Sequence, residues 1–306
     1  MLSEIFYWVL NMSIIGALTG LIILTFRQIK KLPRFSVYML WLLPLIRLWL
    51  PFGVANQYSL LNFISRFTTK TVIVWESRSV IPRFSMSNSI QAAESYFPIE
   101  YKTDLLKDIF YVASLVWVIV AAAAILTSVL LYIFTKSELK SAILLEDNVY
   151  KSDKIISPAV YGIFKPKIII PSSLAAGDID YILLHEKVHI GRRDNLWRVI
   201  AVMTASVHWF NPLSWVFLKC LFVDMELSCD AKVLKKLNES EKKEYALSLL
   251  SVASGKAFFV SAFGGAKTKV RIENILSYKK LTVLSSLAFG VLVSAIAVVL
   301  ITNAVG

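Results

Sequence analysis

The stretch LWRVIAVMTASVHWFNPLSWVFLKCLFV, residues 196–223, reads either as one membrane crossing or as two helices meeting at a corner. The corner is Asn211-Pro212. Asparagine is a good N-cap, and proline is favoured at the first helical position, where its missing N–H costs nothing. The stretch then becomes a helical hairpin with arms 195–210 and 212–226, each ~22–24 Å long at 1.5 Å per residue. The choice decides the fold because of what flanks it. One crossing would hold the flanking residues ~30 Å or more apart, whereas equal arms bring them to one level.

Before the stretch lies His185-Glu186-Lys187-Val188-His189, an H-E-x-x-H motif on a predicted helix. Asp178 can cap that helix and Gly191 is placed to end it. The i, i+4 spacing sets both imidazoles on one face, where they can share one Zn²⁺ at ~2.0–2.1 Å. Glu186 can then hold the attacking water and take its proton. Chance alone gives this motif in on the order of one in a hundred chains of this length, so it needs support. After the stretch, Glu226 and Asp230 again sit four apart on one face. Glu226 can complete a His₂Glu site, and Asp230 can accept the outer N–H of a zinc-bound histidine and fix its tautomer. An ordinary acidic helix face would look the same, since Asp224, Glu239 and Glu241 are close by. The hairpin favours the metal site, because it returns Glu226 to the level of the motif. His208, in the apolar arm near the hairpin tip, reads as a buried, hydrogen-bonded core histidine. Arg192, Arg193 and Asp194 read as a cap or a surface ion pair without catalytic duty.

Around this centre the chain is strongly apolar, 57% hydrophobic with a mean hydropathy of +0.64. The excess comes in long blocks, which points to a multi-span membrane protein rather than two soluble domains. Residues 5–26, 109–134 and 281–302 are each long enough to cross a ~30 Å hydrocarbon core. Residues 36–55 form a further span interrupted by Arg47 and two prolines, with the guanidinium snorkelling or near an interface. The first block is no cleavable signal: it lacks a preceding basic stretch and is followed directly by Arg27, Lys30, Lys31 and Arg34. Gly16 and Gly20 within it form a G-x-x-x-G, a sign of close helix packing.

The net charge of +12 would suggest a nucleic-acid footprint in a soluble protein. Here the basic residues flank apolar blocks, so no direct nucleic-acid contact is expected and the lipid bilayer is the first partner. Arg27 to Arg34 fill the loop between spans one and two, while Lys267, Lys269, Arg271, Lys279 and Lys280 crowd the approach to the last span. Four crossings with both termini outside satisfy these positions. The expected layout is therefore 1–55, two transmembrane helices with a short basic cytosolic loop; 56–106, an extracellular loop; and 107–134, the third transmembrane helix. Residues 135–280 are the cytosolic protease domain, and 281–306 the fourth helix with a short outside tail. The domain opens with a small sheet over residues 149–171. Cys220 and Cys229 fall inside, where reduced thiols are the default.

Several motifs in fixed order carry a resemblance. His185-Glu186-x-x-His189 followed by Arg192-Arg193-Asp194, His208-Trp209-Phe210-Asn211-Pro212, and Glu226-Leu227-Ser228-Cys229-Asp230 resemble the BlaR/MecR antirepressor family of integral-membrane zinc metallopeptidases, gluzincin in type. Ser157-Pro158 through Gly162, Pro166 and Pro171 resemble its strand-rich lead-in, and Ala262-Phe263-Gly264-Gly265 its approach to the last span. The resemblance implies a mainly α, multi-pass fold of four transmembrane helices with an inserted cytosolic α+β zinc protease domain. It implies Glu226 as third ligand and Glu186 as general acid/base. The family's β-lactam receptors carry an external penicillin-binding domain after the last span. This sequence runs to Gly306, so no receiving group for a β-lactam is expected in it.

The leading expectation is a regulatory zinc metalloprotease that cleaves a cytosolic or juxtamembrane protein, such as a transcriptional repressor, in an antibiotic or envelope-stress response. A membrane quality-control or prenyl-protein-type protease would use the same residues. A non-catalytic zinc-containing receptor would need the ligands but not Glu186. Self-association into a homo-oligomer stays open.

Overall fold

The computed structural model describes residues 2–29, 32–50, 54–62, 104–254, 268–278 and 282–303. The chain is mainly helical with one small sheet. Most of the expected outer loop, the Ala262–Gly265 motif and several of the flanking lysines lie outside the described residues.

Among the described residues, three helices are long and apolar enough to cross a membrane: Leu2–Arg27, Lys107–Ser137 and Leu284–Ile301. They belong to α1 (Leu2–Arg27), α4 (Asp104–Glu138) and α10 (Val283–Ile301). These are the three uninterrupted apolar blocks of the sequence. Leu126, Leu131 and Phe134 on α4 and Leu284, Leu287 and Val291 on α10 stay exposed, as lipid-facing side chains would.

The fourth expected span differs. Residues 34–49 form two short helices, α2 (Arg34–Leu40) and α3 (Leu42–Trp49), broken at Trp41. Pro44 explains the break, because it offers no N–H to the carbonyl of Leu40 and its ring crowds that carbonyl. Arg47 does not snorkel. It is 2% exposed and caps the end of α10, donating from Nε to the Leu300 carbonyl at 2.8 Å and from Nη1 to Asn303 Oδ1 at 2.9 Å. Charge at a helix C-terminus is a favourable place for a guanidinium. The same end is tied to Asn56 and Ser59 through backbone and hydroxyl hydrogen bonds.

The sheet has strand order β1-β2-β4-β3, from β1 (Ile143–Glu146), β2 (Val149–Ser152), β3 (Ala159–Tyr161) and β4 (Lys167–Pro171). It covers the predicted small sheet and adds β1 ahead of it. Strand β4 is central, parallel to β2 and antiparallel to β3, which accounts for its buried run of three isoleucines. Ile168 and Ile170 pack on Ile179, Leu183 and Ile190 of the next helix, α5 (Ala176–Arg192).

Helix α5 runs past Gly191 and ends at Arg193, which holds the left-handed conformation at φ 55° that glycine was expected to supply. Asp178 sits in the first turn, with Ala175 at the cap position. The hairpin follows as α6 (Asp194–Val207) and α7 (Pro212–Leu234). Its corner forms as the sequence indicated. Asn211 Oδ1 accepts from the Leu213 N–H at 3.0 Å, and Pro212 takes the first helical position.

The hairpin packs among the apolar helices rather than beside them. Asn211 Nδ2 donates to Ser13 Oγ at 2.8 Å in the middle of α1, and Trp117 Nε1 of α4 donates to the Val207 carbonyl at 2.8 Å. His208 is 1% exposed, with Nε2 3.0 Å from the Leu48 carbonyl, which fits its reading as a core histidine. The G-x-x-x-G is a contact surface for two partners. A Cβ at Gly16 would meet Leu48 of α3 at 2.5 Å, and one at Gly20 would meet the Phe217 ring of α7 at 2.2 Å. Helices α8 (Glu239–Ser254) and α9 (Thr268–Leu276) close the far side of α7, with Tyr245, Leu249 and Ile275 buried against Val233 and Leu234.

Candidate metal centre

Helices α5 to α9 all bring a side chain to the motif. His185 and His189 lie one turn apart on α5, 3% and 5% exposed, with ring centroids 4.8 Å apart. Their Nε2 atoms are 3.1 Å apart. The Glu226 carboxylate of α7 faces both, with Oε2 3.4 Å from Nε2 of His185 and Oε1 3.6 Å from Nε2 of His189. Glu186, 8% exposed, is buried beside them on α5.

The other ring nitrogens are committed elsewhere. Nδ1 of His189 lies 2.6 Å from Asp194 Oδ2, and a carboxylate accepts, so this nitrogen carries the proton. Nδ1 of His185 lies 2.8 Å from the Tyr245 hydroxyl, which itself donates to Asp230 Oδ1 at 2.6 Å. The tyrosine oxygen is then the acceptor and His185 Nδ1–H the donor. Asp230 is 3.3 Å from that nitrogen, one step behind the hydroxyl. With both Nδ1 atoms protonated, both Nε2 atoms present lone pairs toward Glu226. Three acceptors that converge at 3.1–3.6 Å repel unless positive charge, a proton or a metal cation, sits among them. The edge of a tetrahedral zinc site with ~2.1 Å bonds is about 3.4 Å, so this donor set fits such an ion.

A sulfur is also close. His185, His189 and Cys229 form a group whose ligand atoms lie within 4.8 Å of one another and could hold a metal. The Cys229 thiol approaches from the other edge of His185, 3.6 Å from Nδ1, and donates to the His185 carbonyl at 3.4 Å. Glu226 faces both Nε2 atoms, whereas the Cys229 contact with His185 is to the Nδ1 already engaged with Tyr245; the sulfur also lies beside His189.

Burial penalises every charge here, and neighbouring cations decide the outcome. Burial would raise the Asp230 carboxyl, but Arg271 holds it well below the usual carboxylate range, with Nε 2.8 Å from Oδ2 and Nη2 2.7 Å from Oδ1. Burial likewise opposes the Glu226 charge; His189 and His185, when they carry the positive charge that a bound cation would otherwise supply, outweigh it together with Arg271, so its pKa lies well below normal. Arg198 adds a donor to Glu226 Oε1 at 2.7 Å.

Besides Arg198, the sequence reading missed four members of this cluster. Asp194, expected at a surface or cap, is 0% exposed beneath His189. The left-handed turn at Arg193 reverses the chain and puts it there, where Arg192 and Tyr38 also donate to it. Cys229 was visible only as a thiol, although its spacing from Glu226 puts it on a neighbouring face. Tyr245 and Arg271 lie 60 and 86 positions from His185 and gave no local signal. Beside the cluster, a cleft of about 320 Å³ opens between the β3–β4 turn and the start of α6, with His189, Phe164 and Leu196 among its walls. Asn195 Nδ2 closes the edge of β3 there, donating to the Val160 and Gly162 carbonyls at 2.9 and 3.0 Å.

The sequence model of the family described as BlaR1 peptidase M56 matches residues 7–275 of this chain. The regulatory protein BlaR1 of Staphylococcus aureus is 26% identical over 293 residues, covering 83% of this chain and 48% of that protein. The regulatory protein BlaR1 of Bacillus licheniformis is 37% identical over 109 residues, 35% of this chain and 18% of its own length. A methicillin resistance mecR1 protein of Staphylococcus aureus is 33% identical over 103 residues, 32% of this chain and 18% of its own. The chain thus spans about half, or less, of the curated relatives it matches.

Proposed function

The chain belongs to the BlaR1 peptidase M56 family, and on that premise we propose that it is a membrane-embedded zinc metalloendopeptidase serving regulated signalling. The observation that carries the reading is the convergence of His185 Nε2, His189 Nε2 and the Glu226 carboxylate within 3.1–3.6 Å, with the outer nitrogens of both rings held by other groups. These three residues would hold the zinc, which when bound would supply Lewis acidity for peptide-bond hydrolysis. Glu186 takes the proton of that water as it attacks, and returns it to the leaving amine. Asp194 and the Tyr245–Asp230 pair keep the two imidazoles in the tautomer and orientation that ligation needs. The substrate is a cytosolic or juxtamembrane protein, with a transcriptional repressor as the leading candidate. The intact Glu186 disfavours a non-catalytic receptor, because a purely structural site has no use for a base.

The direct test is proteolysis of a natural mixture. The purified chain in nanodiscs, incubated with soluble extract of its own host, is expected to create new protein N-termini. They should vanish with a zinc chelator and return on adding zinc. New termini that are indifferent to the chelator would refute the metal-dependent reading.

Our reading also has four crossings with both chain ends outside and the metal centre on the cytosolic side. The positive-inside pattern supports it. Val54 and Tyr58, 80% and 68% exposed, are suited to labelling, whereas Ser59 is buried. Single cysteines at Val54 or Tyr58, in a chain lacking Cys220, should react with an impermeant thiol reagent on intact cells. Cysteines at Asp153 or Ser240 should react only after permeabilisation. The reverse pattern would put the site outside and remove cytosolic proteins from the substrate list.

A further inference from the structure

Helix α9 carries part of the cationic run that the sequence assigns to topology, yet its two basic residues behave differently. Lys269 is 85% exposed and lies 3.9 Å from Glu273 one turn on. The Arg271 side chain is 16% exposed and enters the metal centre. It grips Asp230 edge-on, with Nε 2.8 Å from Oδ2 and Nη2 2.7 Å from Oδ1. An arginine needed only to neutralise Asp230 could do so from any side of that carboxylate. This one approaches so that Nη2 also lies against the His185 ring, 3.3 Å from Nε2 and 3.4 Å from Nδ1, and Nη1 lies 3.7 Å from Glu226 Oε2. The oxygen that Nη2 holds is the one that accepts from the Tyr245 hydroxyl, and that hydroxyl meets His185 Nδ1.

We propose that Arg271 is a positioning residue for the hydrolytic centre: it fixes Asp230, and through Asp230 and Tyr245 it sets the His185 ring toward Glu226. The proposal rests on the ligand assignment above. A planar guanidinium can hold a carboxylate with two parallel bonds and still present a further donor; a lysine ammonium has no such geometry. The residue arrives on the segment that leads into α10. Ile275, packed against Val233 and Tyr245, and Asn274, which accepts from Arg34 Nε at 2.7 Å, dock that segment. Docking of α9 and completion of the centre are therefore one event.

The test uses the full chain in nanodiscs: wild type, Arg271→Gln, Arg271→Lys, Tyr245→Phe and the exposed control Lys269→Gln. Each is stripped of metal and reloaded with Zn²⁺ or Co²⁺. Zinc affinity is read by competition with a chromophoric chelator, and ligand geometry by the visible spectrum of the Co²⁺ form. Both Arg271 variants should weaken zinc binding roughly tenfold to a hundredfold and shift the spectrum, as loss of an outer partner does. Tyr245→Phe should shift it as well, and Lys269→Gln should match wild type. Zinc held by Arg271→Gln as tightly as by wild type, or more tightly, would overturn the proposal; removal of a mere nearby cation favours binding of another. Should the Arg271 variants fail to fold, Tyr245→Phe decides, because it breaks the relay without touching α9; an unchanged spectrum there is equally fatal. A wild-type chain that takes up no zinc would instead sink the ligand assignment.

Discussion

Glu186→Gln is expected to lower peptide hydrolysis by about 10²–10⁴, the usual contribution of a general base, while the protein keeps its zinc. The glutamine fills the same volume and removes only the ability to take a proton. Glu186 is next to His185 on α5 and 8% exposed, and it is not one of the converging acceptors. Metal analysis and cleavage assay on the same preparation check the result. Activity near the wild-type level would remove Glu186 as the base. Loss of zinc together with activity would make it part of the metal's own support.

The second large effect separates two carboxyl-terminal neighbours on α7. Glu226→Gln should weaken zinc binding by at least about a hundredfold, the upper end for loss of an outer partner, and abolish cleavage with it. Cys229→Ser should leave zinc affinity nearly unchanged. The reason is direction: the Glu226 oxygens lie 3.4 and 3.6 Å from the two Nε2 atoms. The sulfur instead meets the Nδ1 edge of His185 at 3.6 Å, where Tyr245 already stands at 2.8 Å. Chelator competition on both variants checks this. The opposite ranking, with Cys229→Ser losing the metal and Glu226→Gln retaining it, would move the ion to the sulfur side.

Much of the arrangement was legible in the residue order because it depends on relations within single elements. Apolar blocks with flanking cations mark the long helices, since backbone polar groups can cross a bilayer only inside a helix or closed barrel. The i, i+4 spacing of His185 and His189 fixes their shared face by helix geometry alone. Asn211-Pro212 turns the chain because a cap and a fixed φ act locally, and the corner forms at that point. The topology count was less secure. Arg271 served in it as an inner flanking charge, but its charge is used against Asp230.

Residue order alone thus reveals the uninterrupted apolar helices, the two imidazoles on one face, and the hairpin that returns α7 to them. Packing between helices settled the other groups around the imidazoles: Asp194 under His189, the Tyr245 hydroxyl between His185 and the Asp230 that the sequence had proposed, and Arg271 beside His185. It also decided that residues 34–49 break into two helices, and that Arg47 finds its partners at the end of α10. The physical reason is the same in each case. A helix's periodicity states which of its own residues share a face, but a hydrogen bond between different helices, whether 5 positions apart as at His189–Asp194 or 253 as at Arg47–Leu300, exists only once packing brings those faces together.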